Sequence, residues 1–160
     1  MWEVVERTQI AAVPGAVWRV VSDVASHPEL AGSGEVQTVR LDGPVAEGTT
    51  FESDVAVGVV GSFVSHNRID RVDDTRELAW TSYPPLDDDE TPDHQIEVHW
   101  WFRLAPSWQG TELEHGFRVP PPTAGADELG AFLERTGRLE TVREGMVRTL
   151  ANVKARAERG

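Results

Sequence analysis

The sequence contains no cysteine, which excludes disulfide bridges, thiolate metal sites and a cysteine nucleophile. It also lacks any apolar run near the ~20 residues that a membrane-spanning helix needs. The first residues, Met1 to Arg7, carry acids where a signal peptide needs bases and an apolar core. We therefore expect a soluble cytoplasmic protein that does not insert into membranes.

Recognisable catalytic motifs are missing as well. The sequence has no Gly-x-Ser-x-Gly, no phosphate-binding glycine loop and no Gly-x-Gly-x-x-Gly. It therefore gives no support for a serine hydrolase, a kinase or a Rossmann-type dinucleotide-binding protein. His94 and His99 are five residues apart, so on one strand they would face opposite ways. The acidic run at 87–90 lacks the glycine and spacing of a calcium loop. We expect neither a metal nor a cofactor.

Basic residues are scarce relative to acids. The chain has 15 Lys and Arg against 27 Asp and Glu, a formal net charge of −12. So acidic a surface repels phosphate backbones, which argues against a nucleic-acid partner. At 160 residues the chain is expected to form one domain, 1–160, and can bury about 70% of its unfolded surface.

The stretch from about Ala126 to Arg159 is expected to organise the fold. Its apolar and small residues recur every three or four positions, which predicts one long amphipathic helix. This stripe comprises Leu129, Phe132, Thr136, Leu139, Val142, Met146, Leu150, Val153 and Ala157. Gly145 and Thr149 lie beside it, and small residues there would leave room between the helix and its partner surface.

Most of the preceding chain alternates as β-strands do. Seven strands are predicted, near Trp2–Ala11, Glu35–Leu41, Thr49–Val57, Gly61–Val72, Arg76–Tyr83, His94–Leu104 and Thr111–Val119. Short helices after the first strand begin near Pro14, which the first turn of a helix tolerates, and break around His27-Pro28. The fold class is therefore α+β: a curved seven-stranded antiparallel sheet wrapped round a long C-terminal helix.

Strand alternation also assigns side chains to the inner face of the sheet. That face mixes apolar residues with Ser65, Asn67, Ser82, His94 and His115. A solid core would avoid such polar groups, whereas a ligand pocket combines apolar walls with a few polar side chains. The same alternation places Trp101 on the outer face, as a dimer contact or lying flat on the sheet.

Several local motifs resemble one superfamily in their order and spacing. They are Ala12–Trp18 with Ser22-Asp23 and His27-Pro28-Glu29, Val45–Phe51, Phe102–Pro106 with Gly110–Leu113, and Gly145–Leu150. Together they resemble the START-like (SRPBCC, Bet v 1-like) superfamily of polyketide cyclase/dehydrase type. That resemblance implies a helix-grip fold with a cavity between sheet and long helix. It further implies an apolar or aromatic ligand that is polyketide-, lipid- or isoprenoid-like.

His115 is the candidate catalytic residue. Polyketide aromatase/cyclases carry a histidine in the matching place on the last strand, with a phenylalanine two positions on, as Phe117 is here. The resemblance implies proton transfer by His115, with Asn67 and Ser65 orienting the substrate. The arginine that those enzymes tend to place on the fourth strand is absent, because Asn67 holds the nearest inward position. A histidine hydrogen-bonded in the core is the alternative, and His27 is expected at a helix end or on the surface.

Three functions stay open at this stage. They are binding of an apolar or aromatic small molecule, aromatase/cyclase-type catalysis through His115, and a protein-interaction module with a filled core and an apolar outer patch near Trp101. A homodimer is compatible with each. The expected ligand-binding residues are Phe63, Ser65, Asn67, Trp80, Ser82, Val98, Trp100, Phe102, Leu113, Phe117, Val142, Gly145, Met146 and Thr149.

Overall fold

The computed structural model describes residues 2–58, 61–84, 97–120, 131 and 133–160. Its strands are β1 Trp2–Ile10, β2 Val36–Leu41, β3 Thr50–Val57, β4 Gly61–Asp73, β5 Glu77–Tyr83, β6 Val98–Ser107 and β7 Gly110–Val119. Its helices are α1 Pro14–Val21, α2 His27–Leu30 and α3 Arg138–Arg159, with a 3₁₀ turn at Val24–Ser26 before α2. Among the helices in the described ranges, none is long and apolar enough to cross a membrane.

The strands form one antiparallel sheet in the order β1-β7-β6-β5-β4-β3-β2. Consecutive strands from β2 to β7 pair as hairpins, and β1 closes the order by pairing with β7. Gly110 shows why the β6–β7 turn needs glycine. Its φ is +140°, and a Cβ there would meet the carbonyl oxygen of Ile10 at 2.6 Å. The α+β helix-grip prediction, with seven antiparallel strands and two short helices after the first, is confirmed.

Side chains alternate across the sheet as the sequence pattern predicts. On β4, Ser65, Asn67 and Ile69 are buried on the inner face, at 5%, 4% and 1% exposure. The β4–β5 register shifts between Ile69 and Arg71, so the irregularity follows this stretch and does not flip it. The inner face is therefore continuous from β3 to β7.

Helix α3 lies against this inner face, but it begins later than the sequence pattern predicts. Gly137 precedes it with a left-handed φ of 67°, which interrupts the helical rotation, and residues 133–136 form a separate helical turn. Leu133 is consequently buried at 3% while Thr136 is exposed, the reverse of the predicted stripe. Leu129, Phe132 and the predicted helix start at Ala126 lie outside the described residues.

From Leu139 onward the predicted stripe is confirmed. Met146, Leu150, Val153 and Ala157 are buried, and Leu139 and Val142 are partly buried. Leu150, Val153 and Ala157 pack with α1, α2 and the sheet in the largest core cluster. Met146 joins a second cluster with Val4, Val98 and Phe117, and a third forms around Phe51, Ile69 and Leu78. These three clusters surround the side chains described next.

Candidate functional site

An array of aromatic rings covers the centre of the inner face. Register places Trp80 opposite Trp100, and Trp100 opposite Phe117, on three neighbouring strands. The ring centroids of Trp80 and Trp100 are 6.4 Å apart and nearly parallel, and those of Trp100 and Phe117 are 5.0 Å apart. Directly opposed inward residues on paired strands bring large rings into contact, so the sheet itself builds the array.

His115 extends this array on β7. Its ring stacks on Phe102, with centroids 4.2 Å apart and planes 10° from parallel, and lies 5.8 Å from Trp100. Its Nδ1–H donates to the carbonyl oxygen of Trp101 at 2.9 Å. That bond leaves Nε2 as the unprotonated nitrogen, and within the described residues Nε2 makes no hydrogen bond. His115 therefore presents a hydrogen-bond acceptor on an apolar surface.

Burial keeps His115 neutral. The residue is 5% exposed, and desolvation lowers its pKa from 6.5 to about 4, despite the stabilising bond to the Trp101 carbonyl. At pH 7, on the order of one molecule in a thousand carries the protonated imidazole. The ring can accept a proton or a hydrogen bond, but it holds almost no proton to donate as an acid.

His27 belongs to the same array, which the sequence pattern did not indicate. It stands at a helix end, as expected, but α2 begins there where a break was predicted, and its ring points inward against Trp80 at 5.4 Å and Phe102 at 6.0 Å. Its Nε2–H donates to the Val21 carbonyl at 2.8 Å, so Nδ1 is the acceptor nitrogen. Desolvation lowers the pKa of His27 too. The expected surface position of the His27 side chain was therefore wrong. Pro28 restricts the backbone of the residue before it, but it does not determine the direction of that residue's side chain.

Four polar side chains of the inner face form a closed hydrogen-bond cluster beside the array. Asn67 is its centre: the amide nitrogen donates to the hydroxyl of Ser53 at 3.1 Å and to backbone carbonyls. The amide oxygen accepts from Ser82 at 2.5 Å and from Ser65 at 3.4 Å. A ligand carbonyl would have to displace one of these bonds to reach Asn67. The cluster thus stabilises β3, β4 and β5 against one another.

The small residues of α3 contact the chain itself. A Cβ on Gly32 would lie 2.3 Å from Cβ of Arg148 and 2.5 Å from the Gly145 carbonyl. The Thr149 hydroxyl accepts the Gly32 N–H at 2.9 Å and donates to the Gly145 carbonyl at 2.9 Å. The room that Gly145 and Thr149 leave on this side of the helix is therefore filled by the loop after α2.

The other predicted ligand contacts occupy three different places. Val98 and Met146 pack beside Phe117, next to the array, with Val142 against the same cluster. Leu113 is fully buried in the core with residues of α1 and α3. Phe63 lies near the β3–β4 turn, four residues or about 13 Å along the strand from Asn67, and lines a separate recess of 360 Å³. His94 lies outside the described residues.

On the outer face, Trp101 lies flat on the sheet. Gly116 is its neighbour across the strands, and a Cβ there would stand 1.8 Å from the indole. The Trp101 Nε1–H donates to Glu114 at 2.7 Å, and the Arg103 guanidinium lies 4.8 Å from the indole. Trp101 is only 7% exposed, whereas Trp108 in the β6–β7 turn is 93% exposed. The outer surface near Trp101 is charged, not apolar.

No family model and no curated protein matches this sequence. Solved structures do match its fold. Protein MLL2253 from Mesorhizobium loti is 17% identical, with a TM-score of 0.66 over 99% of this chain and 98% of its own. The two-domain aromatase/cyclase BexL of the BE-7585A biosynthetic pathway is 18% identical, with a TM-score of 0.68 over 98% of this chain and 50% of its own. Ara h 8.0201 is 15% identical, with a TM-score of 0.52 over 91% of this chain and 97% of its own.

These likenesses establish the fold. The chain has the START-like, Bet v 1-like fold that also occurs in polyketide aromatase/cyclases, as the sequence motifs indicated. At identities below 20%, the shared fold does not carry an activity with it, because one fold supports many functions. Function must therefore be argued from the inner-face side chains.

Proposed function

We propose that this protein binds a neutral, apolar or aromatic small molecule against the aromatic array of its inner face. The observation that carries the proposal is the continuous contact of Trp80, Trp100, Phe102 and Phe117 with the two imidazoles. Rings prefer offset or edge contacts with other rings at 4.5–7 Å, so an aromatic ligand can extend this array. A polyketide-, lipid- or isoprenoid-like molecule fits that chemistry.

The electrostatics of the array favour a ligand without charge. Its members are four apolar aromatic side chains and two histidines whose pKa values are lowered by burial. A charged ligand would lose its hydration here without gaining an opposite charge from these residues. Within the described residues Nδ1 of His27 and Nε2 of His115 accept no hydrogen bond, so a hydroxyl on the ligand would find a partner there.

Catalysis of aromatase/cyclase type, with His115 as acid/base, is the second candidate. The free Nε2 of His115 and the two-domain aromatase/cyclases of the same fold favour it. A pKa of about 4 opposes it, because a general base works best with a pKa near the operating pH. So weak a base supports binding better than turnover.

The third candidate, an interaction module, needs an apolar outer patch near Trp101. That indole is covered by Arg103 and bonded to Glu114. Nothing in this geometry favours the module over a binding protein. Cytoplasmic location and a homodimer stay predictions.

The proposal is tested by native mass spectrometry of the purified protein and by tryptophan fluorescence during titration with neutral aromatic and lipid-like compounds. A co-purified small molecule, or quenching that saturates near one equivalent, supports binding. Trp100→Phe should reduce the quenching to the part that Trp80 contributes, whereas the matched change Trp108→Phe should leave it intact, because Trp108 is 93% exposed. No adduct and no saturable response across the panel would contradict the proposal.

A further inference from the structure

The outer face of the sheet, opposite the aromatic array, contains a recess of 590 Å³. Its floor is made of short or flat side chains in register: Ala79 lies opposite Trp101, and Trp101 opposite Gly116, which pairs with Val5. Its rim is made of long charged side chains. The recess exists because short or flat floor side chains on β1, β7, β6 and β5 are surrounded by the long side chains of arginines and acidic residues.

The recess is a local exception to the charge of the protein. Five arginines and five carboxylates line it, so it is close to neutral, although the whole chain carries −12. Most of these charges are already paired. Arg7 bonds Glu114, Arg103 bonds Glu77 and Glu114, and Arg68 bonds Asp70.

Among the five arginines Arg118 is the exception, and its cross-strand neighbour Glu3 likewise forms no ion pair within the described residues. Arg118 lies on β7 between Glu3 and His99 in register, yet it forms no ion pair with a carboxylate of the described residues. Its Nη2 makes a long contact of 3.5 Å with Nδ1 of His99. Its Nε is closed to solvent and has no hydrogen-bond partner in the described part of the chain. A buried N–H without an acceptor costs free energy that an incoming acceptor recovers.

The chemistry of the missing partner follows from the guanidinium. Nε–H and Nη2–H lie on one edge of the group and match two oxygens of a carboxylate or phosphate. His99 holds one end of this edge, because its Nδ1 accepts from Nη2 at 3.5 Å while its Nε2–H donates to Glu97 at 3.4 Å. Because Nε is closed to solvent, binding requires the Arg118 side chain to rotate until Nε–H meets the oxyanion.

We propose that the outer-face recess is a second binding site, which takes the carboxylate or phosphate group of a small molecule on Arg118. The site does not rest on the proposed function, since Arg118 and the other charged side chains lie on the outer face, although Trp80 and Trp100 of the array also border the recess. Trp101 on its floor provides a reporter, because its indole N–H bonds Glu114 at the rim.

The test follows the Trp101 indole signal in ¹H–¹⁵N spectra during separate titrations with acetate and inorganic phosphate at constant ionic strength. Trp101→Phe assigns the signal. In the wild type we expect the Trp101 indole signal to shift saturably with at least one of the two anions. The anion that binds more tightly then shows whether the site takes a carboxylate or a phosphate group. Arg118→Gln should abolish the shift. Arg40→Gln, which removes the same charge from a paired arginine on β2, should retain it.

Arg118→Lys keeps the charge but loses the two-N–H edge, so it should weaken binding. Melting curves of each variant show whether it folds, and Arg118→Gln should be as stable as the wild type because it removes an unpartnered donor. A drift that does not saturate, or an equal shift in the Arg118→Gln and wild-type proteins, would overturn the proposal. Neither outcome would affect binding at the aromatic array.

Discussion

His115 stacks on Phe102 with the two ring centroids 4.2 Å apart and donates its Nδ1–H to the backbone carbonyl of Trp101. The stack fixes the plane of the imidazole, and the hydrogen bond fixes its tautomer. Both act on a side chain that is 5% exposed, so they hold a neutral ring against the aromatic array, with an Nε2 acceptor that no other described residue uses.

Stability should fall as the pH is lowered from about 6.5 towards about 4. The folded-state pKa of His115 is lowered to about 4 from 6.5, so the unfolded chain binds more protons in this window. Above pH 6.5 His115 is neutral in both states and the free energy of unfolding is not reduced. Below about pH 4 the reduction due to His115 reaches its largest value, about 3 kcal/mol. Urea denaturation at several pH values measures it. His27, whose pKa is also lowered, adds to the loss in the same direction.

His115→Phe should flatten this pH dependence while keeping the stack on Phe102. His66→Gln is the control, because it removes a histidine whose side chain is 65% exposed on the outer face of the sheet, away from the array. An undiminished slope in His115→Phe would mean that other groups carry the acid sensitivity.

Gly32→Ala should destabilise the protein by about 1–3 kcal/mol, the usual cost of overpacking. The new Cβ would meet Cβ of Arg148 at 2.3 Å and the Gly145 carbonyl at 2.5 Å, both on helix α3. Gly15→Ala provides the matched control on α1, where a Cβ meets nothing within 4 Å. That change should be neutral or stabilise by up to ~1 kcal/mol. Equal effects in the two variants would contradict the close approach of the loop to α3.

Asn67→Leu should cost at least about 2 kcal/mol, because it leaves the hydroxyls of Ser53, Ser65 and Ser82 without their common partner in a buried cluster. Asn152→Ala removes one bond, to the Leu30 carbonyl at 2.9 Å, from an exposed residue of α3 and should cost about 1 kcal/mol or less. Thermal or urea unfolding compares them. If Asn67→Leu were tolerated and ligand binding alone were lost, Asn67 would be a ligand contact after all.

His115→Ala should retain ligand binding within a few fold. In the proposed binding mode the partly exposed rings of Trp80 and Trp100 supply most of the contact surface, and His115 adds one hydrogen bond worth about 1 kcal/mol. The affinity of one ligand for the wild type and the variant, measured by calorimetry, checks this. If the wild type converted a ligand into a cyclised product and His115→Ala bound that ligand equally well without converting it, the aromatase/cyclase candidate would be favoured instead.

Much of the fold follows from local sequence rules. Alternation predicted the seven strands and the inward side of His115, Asn67 and Phe117, because each strand has one buried face. The stripe from Leu139 to Ala157 predicted α3 for the same reason. Where a local preference alone determines the conformation, the sequence pattern was sufficient to predict the secondary structure and the buried face.

The differences arise where long-range contacts decide. His27 joins the array because α2 packs over Trp80 and Phe102, and no periodicity within four residues shows that. Gly137 interrupts the predicted helix through a positive φ. A glycine permits this conformation, but its presence in the sequence does not predict it. Gly145 and Thr149 are small because Gly32 and Ser33 pack against them, whereas the sequence suggested a cavity. Small residues indicate a close approach without identifying the partner.

The central claim is that an aromatic molecule binds at the inner-face array. The most direct measurement is the ¹H–¹⁵N spectrum of the six tryptophan indoles, assigned by single Trp→Phe variants, during titration with 2-naphthol. The account predicts saturable shifts of the Trp80 and Trp100 signals together, with the signal of the exposed Trp108 unchanged. Shifts confined to Trp108, or none at Trp80 and Trp100 in a folded protein, would contradict it.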